Sequence, residues 1–593
     1  LTYKGKLPTN YNVIVNSTTD FGKTIFSDVS GQTNFGVHSG STLSEGTYSS
    51  VLSGLTASEI ASGTSEIHIN SNACDDIVGT SATVGSNCGD LDISGSNSNV
   101  TISSGVTVSG PGDQNWTLTN STGSLWDLVV EDEDDVLNTG TATTLTNLGT
   151  ISTGDDWGIL NDTNASFTTL SNSGAISAST DFGIYNKGLI TSMSNTGTIS
   201  AGRNWGIYNE GSATITTLTN TGTISASGND IGIYNATSSS IATLNNLQGA
   251  SGSTLTYKGK LPTNYNVIVN STTDFGKTIF SDVSGQTNFG VHSGSTLSEG
   301  TYSSVLSGLT ASNISSGVIG THSNVNACSD VDAANATFSS NCAELDISGD
   351  GSDVTINSGI TISGVGDYDW TLSNSSGTTW DLVSTAQLDD VVNTGTNTLL
   401  NNLGTITALG GGGNGIFNQG SFTTLTNKGL ITSDSAHGIN NSGTIITFNN
   451  LQGASSSALT YKGKLPTNYN VIVKSKTDFG QTIFSDTSGA TNFGIHSESI
   501  LSKGTYSSVL SGLTASEIVS GTSGTVVSGA IRSNWVLANN TGSEWDLVVG
   551  NKDITDDTKT SVVKSVKPDI VLGVNNLTSV TEVNLANMNT YDC

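Results

Sequence analysis

Residues 145–151 read LTNLGTI, and four variants of this stretch follow along the chain: LSNSGAI (170–176), MSNTGTI (193–199), LTNTGTI (218–224) and LNNLQGA (244–250). Between them lies a second motif, WGILN at 157–161, which returns as FGIYN, WGIYN and IGIYN. Both motifs recur every 23–26 residues and keep the same phase. A period of this length predicts an architecture in which each repeat stacks on the next one.

The repeats consist of short runs in which apolar and polar residues alternate, such as ATITTLTN at 213–220. Alternation with a period of two, in segments rich in Thr, Ile, Val and Ser, is typical of β-strands. One such repeat cannot bury its apolar face alone, so successive turns must stack through parallel strands about 4.8 Å apart. We therefore expect an all-β fold, an elongated parallel β-helix or solenoid with turns of about 25 residues, and a right-handed path.

The in-phase asparagines predict a hydrogen-bonded ladder inside this solenoid. Identical amides in successive turns can each bond the next one, as polar ladders do in stacked sheets. The candidates, from two sets of repeats, are Asn147, Asn172, Asn195, Asn220, Asn246, Asn402, Asn427 and Asn450. In-phase glycines such as Gly183 and Gly206 fit turns or places where two backbones approach closely.

A longer repeat frames the short ones. The segment LTYKGKLPTNYNVIVN begins at Leu1 and again at Leu255, and a more divergent copy begins at Leu459. Each copy closes with two tryptophans, as in WTLTNSTGSLWDLVV at 116–130. The distances between copies differ by whole repeats, which indicates that complete turns were gained or lost. The predicted divisions are a first module (1–134), a five-turn spacer (135–254), a second module (255–390), a three-turn spacer (391–458), a third module (459–550) and a C-terminal junction segment (551–593).

Four of the five cysteines form two pairs with the same spacing, Cys74 with Cys88 and Cys328 with Cys342. Matched pairs that close short loops favour disulfides and an oxidising compartment over free thiols. A metal site is disfavoured because neither loop contains a histidine. The third module lacks this loop, so we interpret it as an insertion that acts as a structural staple. Cys593 has no evident partner in the sequence.

The composition excludes several functions. With 49 acidic and 19 basic residues the net charge is −30, so we expect no nucleic-acid partner. No stretch has the ~18 consecutive apolar residues of a membrane helix. Because Leu1 opens a repeat and is not preceded by Met, we expect the sequence to be part of a longer protein.

No set of residues predicts catalysis. The acidic run at 131–135 favours a solvated loop, with a cation contact or an acid–base role as weaker alternatives. His38, His292 and His496 occupy one equivalent position, where a surface or turn role is favoured over a pH-sensitive contact or a ligand role. Neither set is accompanied by a nucleophile motif. We therefore expect no catalytic residues, no metal and no cofactor.

Aromatic residues are better candidates for binding. Trp157, Phe182 and Trp205 precede the in-phase glycines, while Tyr185 and others follow the in-phase isoleucines. We expect these two sets on different faces or bends. One row is then either an exposed stripe that stacks on sugar rings or a set of rings that stack on each other, and the second alternative is favoured.

The lysines that open the modules are candidate contact residues. They recur at equivalent positions: Lys4, Lys6, Lys258, Lys260, Lys462 and Lys464. Head-to-tail contact between module ends is one interpretation. Protection of open strand edges by exposed lysines is the favoured one.

The alternation of GTI, GIYN and LxN resembles the passenger repeats of autotransporter (type V secretion) surface proteins, and the module LTYKGKLPTNYNVIV…WDLVV resembles a repeated passenger module of that family. The tail VNNLTSVTEVNLANMNTYDC (574–593) resembles the junction that precedes the family's outer-membrane β-barrel. The resemblance implies export, display on a Gram-negative cell surface and such a barrel in the precursor.

The expected function is non-enzymatic adhesion, through an extracellular or cell-surface ligand such as a glycan or through copies of the protein itself. A self-assembling subunit of an extracellular filament is the alternative. A glycan-degrading β-helix enzyme is the third option, because parallel β-helices also carry such enzymes.

Overall fold

The computed structural model describes residues 1–110, 112–131, 135–154, 157–228, 231–409, 411–528 and 531–554. The protein is all-β, with 59% of residues in strands and 1% in helix. It forms a parallel β-solenoid of about 21 turns at roughly 24-residue spacing, which confirms the predicted fold class. The chain divides into two compact units, residues 1–322 with 370–385 and residues 323–369 with 386–593.

In the first unit, the spacer shows how one turn is built. A complete turn gives one strand to each of three faces, and the last turn gives strands to the first two only. The strands pair in parallel with their equivalents in the next turn, as Ile151 does with Ile176. Apolar side chains such as Leu170 and Ile207 are fully buried between the faces. The strands are, on the first face, Val136–Asn138, Ile159–Asn161, Ile184–Asn186, Trp205–Asn209 and Ile231–Asn235; on the second, Thr143–Asn147, Ser166–Asn172, Leu189–Asn195, Thr214–Asn220 and Ser240–Asn246; on the third, Thr150–Thr153, Ala175–Ala178, Thr198–Ala201 and Thr223–Ala226.

The first module contains parallel strands, one turn of 3-10 helix and a closing hairpin. Its strands are Thr2–Lys6, Asn10–Val13, Thr24–Ser30, Thr33–Val37, Gly46–Ser53, Ile60–Ser62, Ser65–Ile69, Ile77–Val78, Ser81–Val84, Leu91–Ser94, Asn99–Ile102, Thr107–Val108, Asp113–Asn120 and Leu125–Glu131, with 3-10 helix at Ala57–Glu59. The second module repeats this order with Leu255–Lys260, Asn264–Val267, Val269–Ser271, Asp274–Phe275, Thr278–Ser284, Thr287–Val291, Gly300–Ser307, Ile314–Ser316 and Ile319–Ser323, 3-10 helix at Ala311–Asn313, and the hairpin strands Asp367–Asn374 and Thr379–Ala386.

The second unit contains the second cysteine insertion, the second spacer and the third module. The insertion strands are Val331–Asp332, Asn335–Phe338, Leu345–Ser348, Asp353–Ile356 and Thr361–Ser363. The spacer strands are Val391–Asn393, Thr398–Asn402, Thr405–Ala408, Ile416–Asn418, Ser421–Asn427, Leu430–Ser433, Ile439–Asn441 and Thr444–Asn450. The third module has Leu459–Lys464, Asn468–Val471, Thr482–Ser488, Thr491–Ile495, Gly504–Ser511, Ile518–Ser520, Ser523–Ser528, Ile531–Asn539 and Glu544–Ile554.

The paired tryptophans belong to a hairpin that departs locally from the parallel pattern. Asp113–Asn120 pairs antiparallel with Leu125–Glu131, which in turn pairs antiparallel with Gly46–Ser53. The connecting turn places Gly123 at a φ of +65°, a conformation that glycine adopts without strain. Trp126 Nε1 donates a hydrogen bond of 2.9 Å to a main-chain carbonyl oxygen of the module. The tryptophan signature is thus a structural closure of the module.

Each cysteine insertion forms the first two turns of the spacer that follows it. In the first unit, Leu91 of the insertion pairs in parallel with Val136, Val100 with Leu145, and Thr107 with Thr150. The three faces of the spacer therefore begin inside the insertion. In the third module, which has no insertion, Ser523–Ser528 and Ile531–Asn539 join directly as an antiparallel pair.

Candidate functional site

The two predicted disulfides are confirmed. Cys74 is bonded to Cys88 and Cys328 to Cys342, and each bond closes a loop with a sequence separation of 14. The closed loops stand at the start of the two spacers. Two disulfides indicate a non-reducing environment, as found outside the cell. Cys593 and residues 555–592 of the predicted junction lie outside the described residues.

The structure places the eight predicted ladder asparagines inside the two spacers, each at most 1% exposed. The side-chain amide of each residue donates to the amide oxygen of its equivalent in the next turn, at 2.8–3.1 Å, from Asn147 to Asn246 and from Asn402 to Asn450. The ladder lies at the end of the second face, where the chain bends toward the third.

A second asparagine ladder lies at the end of the first face, and the sequence analysis missed it. Its amide bonds measure 2.7–2.8 Å and join Asn138, Asn161, Asn186, Asn209 and Asn235 in the first spacer and Asn393, Asn418 and Asn441 in the second. The signal was present, because the motifs WGILN, FGIYN, WGIYN and IGIYN all end in asparagine.

A buried glutamine ends the third face of each spacer. Gln248 Oε1 accepts hydrogen bonds from the Ile224 amide at 2.7 Å and from Asn220 Nδ2 at 3.0 Å, and its Nε2 donates to the Ile224 carbonyl at 3.1 Å. The side chain therefore takes the place of the peptide group that a further strand would supply. Gln452 bonds Ile431 in the same way in the second spacer.

Six aromatic residues of the first spacer form one cluster on the outside of the first face: Trp157, Phe182, Tyr185, Trp205, Tyr208 and Tyr234. Phe182 stacks on Trp205 with an interplanar angle of 3° and a centroid distance of 5.2 Å, and Tyr185 stacks on Tyr208 at 6° and 5.1 Å. Trp205 also contacts Tyr208 at 4.5 Å. Residues before the glycines and after the isoleucines therefore share one surface instead of lying on different faces or bends. The reason is that strict alternation is interrupted in these strands: the glycine and the isoleucine between the two positions are both buried, as in Trp205–Asn209, so the residues on either side of them both face outward.

This aromatic cluster remains partly open to solvent and carries charged groups at its edge. Trp157, Trp205, Tyr208 and Tyr234 are half-buried. Lys187 Nζ lies 4.4 Å from the centroid of the Tyr185 ring. Burial is the largest cause that raises the pKa of Tyr185 above its ordinary value, and the hydrogen bond to Glu210 and the negative charge of Glu210 raise it further. The phenol therefore stays a neutral donor.

The second spacer has the same three faces, and its described part contains no such cluster. The positions that correspond to Trp205 and Tyr208 are occupied there by Asn414 and Phe417 in one turn and by His437 and Asn440 in the next. Stacking of the turns therefore does not require the aromatic set.

Each cysteine insertion also gathers three carboxylates that the sequence analysis did not single out. Oxygens of Asp76, Asp92 and Asp113 lie within 4.8 Å of one another in the first unit. The equivalent set in the second unit is Asp330, Asp346 and Asp367. We call these sets the first and second triads.

A further buried carboxylate adjoins each triad. Asp90 in the first unit is 6% exposed, and Glu344 in the second is 1% exposed. Burial first, and neighbouring carboxylates to a smaller degree, raise the pKa of both groups to about 9. The same causes raise the pKa of Asp92 and of Asp346 to about 6.

The module-opening lysines have partners inside their own units. Lys4, Lys258 and Lys462 form ion pairs of 2.6–3.2 Å with Asp28, Asp282 and Asp486 respectively. Lys260 Nζ donates to the Ser239 carbonyl at 3.0 Å, and Lys464 Nζ bonds Thr444 Oγ1 at 3.1 Å. Lys6 is exposed. Exposed pairs of this kind stabilise little, and an intermolecular role for these lysines stays a prediction.

The predicted turn histidines each accept a hydrogen bond from a main-chain amide two residues further on, with His38 Nδ1 at 3.0 Å and His292 Nδ1 at 3.1 Å; the His496 contact is longer, at 3.4 Å. In the acidic run at 131–135, residues 132–134 lie outside the described part of the chain.

Two grooves of the second unit bear on the enzyme alternative. A groove of about 550 Å³ beside the Cys328–Cys342 bond is lined by no carboxylate side chain, and a groove of about 410 Å³ contains Asp478 as its one carboxylate. Neither therefore offers the pair of carboxylates that glycoside hydrolysis requires.

Comparisons with known protein families, with curated proteins and with solved structures found no match to this chain. Within the described residues, no helix has the length and hydropathy needed to cross a bilayer.

Proposed function

We propose that the protein is a non-enzymatic passenger of the autotransporter type, displayed on a Gram-negative cell surface, and that it adheres to a glycan-bearing surface through the aromatic cluster of its first spacer. The observation that carries this proposal is the contrast between the two spacers. Both have the three faces and both asparagine ladders, but among the residues that the structure describes only the first spacer has the cluster.

Aromatic rings that are not needed for stacking of the turns are suited to contacts with other molecules. Trp and Tyr bury a large area at little conformational cost, and they dominate the energetics of many contact surfaces. The half-buried rings of Trp205, Tyr208 and Tyr234 lie side by side along the face. Their faces suit the apolar faces of sugar rings, and Lys187 and Glu210 supply polar groups at the edge.

The test uses residues that the second spacer already tolerates. The double variant Trp205→His with Tyr208→Asn imports the pair found at His437 and Asn440. We expect it to keep the fold and to bind at least tenfold more weakly to whole cells and to a panel of immobilised glycans. The matched control is Phe417→Asn in the second spacer, which should bind as the parent does.

The proposal fails if the double variant binds as well as the parent chain. It also fails if the parent binds no cell and no glycan of the panel, or if Phe417→Asn weakens binding to the same extent. Circular dichroism and a thermal melt of each variant separate loss of binding from loss of fold.

A further inference from the structure

The two carboxylate triads lie where each disulfide loop meets the start of a spacer. In the first triad, Asp76 follows the half-cystine Cys74, Asp92 lies on the strand Leu91–Ser94, and Asp113 begins a strand of the closing hairpin. Three separate parts of the chain are thus brought together with oxygens within 4.8 Å of one another. Such a cluster of like charges is unfavourable unless something compensates it.

Unpartnered buried atoms provide an independent indication of a ligand. Asp367 of the second triad is 7% exposed, and its Oδ1 has no hydrogen-bond partner among the described residues. Adjacent to it, Glu344 Oε2 accepts a bond from the Asp367 amide at 2.7 Å, while its Oε1 has no partner. Asp90 Oδ1, beside the first triad, likewise has no hydrogen-bond partner among the described residues.

Within the described residues no lysine or arginine pairs with these groups, and the effect of His68 on the pKa of Asp113 is smaller than the opposing effects of burial and of Asp76. The four ion pairs found among the described residues all involve other carboxylates. A buried carboxylate without a hydrogen bond or a positive partner is costly, and a bound metal ion is a common solution.

The internal duplication indicates which groups matter. Between the two insertions, Asp75 is replaced by Ser329 and Asn99 by Asp353, but all three triad positions stay aspartate. The adjoining position changes from Asp90 to Glu344 and so keeps its carboxylate. The third module lacks the whole insertion, and no such set is found among its described residues.

We propose that each triad binds one calcium ion, giving two sites per chain, and that the ion fastens the disulfide loop to the first turns of the spacer. All the available ligands are oxygens, and the cysteines are consumed in disulfides, which disfavours zinc. Calcium accepts six to eight oxygens in flexible geometry, whereas magnesium keeps several waters and takes one or two carboxylates. The inference does not rest on the proposed adhesive function.

The test is calorimetric titration of CaCl₂ into the full chain after treatment with a chelator. We expect two ions per chain, with a Kd on the order of 10⁻⁴ M, as in extracellular modules. Asp92→Asn and Asp346→Asn should each leave one ion, and the double variant none. Asp353→Asn is the matched control, because it removes an exposed carboxylate of the same insertion and installs the residue found at Asn99.

Thermal melts guard against misfolded variants. Removing one charge from a cation-free triad relieves repulsion, so in chelator the double variant should have a melting temperature equal to or above that of the parent. Added calcium should raise the melting temperature of the parent and leave that of the double variant unchanged. Absence of calcium binding by the parent overturns the proposal, as does binding that the double variant retains. Tighter binding of MgCl₂ than of CaCl₂ would overturn the choice of calcium.

Discussion

Gln248 replaces a missing peptide group at the end of the first spacer. Its side chain satisfies the amide and carbonyl of Ile224, and it is 7% exposed. Buried backbone groups that lose their partners cost about 1–3 kcal/mol each. Gln248 therefore ends the third face through the hydrogen bonds of its side-chain amide, which matter more than the volume of the side chain.

We predict that Gln248→Ala lowers the free energy of unfolding by about 2–4 kcal/mol. Urea melts measure the loss, and hydrogen exchange should show faster exchange of the Ile224 amide. Gln32→Ala is the control, since the side chain of Gln32 makes a single exposed bond to Ser58, and it should change stability by less than about 0.5 kcal/mol. Equal effects of the two substitutions would contradict this role.

Asp390 is a buried carboxylate at the start of the second spacer. Burial raises its pKa to about 7, although the Gly364 amide donates a hydrogen bond to it. An acid whose pKa is higher in the folded state binds protons more tightly there, so it favours folding at low pH. Its contribution is lost as the pH rises from the unfolded pKa near 4 to about 7.

We predict that Asp390→Asn reduces the decline in stability between pH 4 and pH 7, by up to about 1.4 kcal/mol for each pH unit. Thermal melts of the chain across this range measure the effect. Asp353→Asn, at an exposed position, should leave the pH profile as it is in the parent. If the Asp390 variant showed a steeper decline, the assignment would be wrong.

At the scale of strands and turns, local sequence patterns predicted the strands and one of the two asparagine ladders. The alternating Thr and Ile runs predicted the strands, and the in-phase Asn172 and Asn195 predicted contacts that the structure shows at 2.8 Å. These features succeed because a parallel in-register stack converts sequence phase directly into spatial proximity. The same logic would have found the second ladder at Asn186 and Asn209, which the aromatic residues of that motif overshadowed.

Elements that break the repeat were not predicted. The hairpin around Gly123 pairs strands antiparallel, although the run NSTG between two alternating segments is a hairpin signal. The triads were missed for a different reason. Asp76, Asp92 and Asp113 are far apart in sequence, and only the disulfide loop and the return of the hairpin bring them together.

The cysteine insertion has a role that the sequence divisions did not assign. A solenoid segment must begin on a turn with no preceding turn to pair with, which leaves strand edges and apolar side chains open. The insertions supply a short first turn closed by a disulfide, and the buried Leu91 and Leu345 begin the apolar stacks that the spacers continue. Each spacer therefore starts on a covalently closed turn.

At the scale of the whole molecule, the two spacers indicate that the chain is assembled from interchangeable turns. The first spacer has five in-phase asparagines of one kind and the second has three, yet both have the same faces and the same terminating glutamine. If turns are the units of stability, removal of one complete turn preserves the strand register between all the turns that remain. Removal of part of a turn shifts the register between the turns on either side of the deletion.

The most direct measurement is a thermal melt, with far-ultraviolet circular dichroism, of two deletions in the first spacer. Removal of residues 173–195 takes out the 23 residues that separate Asn172 from Asn195, and Asn172 can then donate to Asn220. For this deletion we predict an unchanged β signal per residue and a cooperative transition close to that of the parent. Removal of residues 173–184 should shift the phase and abolish the cooperative transition of that unit. Unfolding of the whole-turn deletion, or equal tolerance of both deletions, would show that complete turns are not the units from which the chain is assembled.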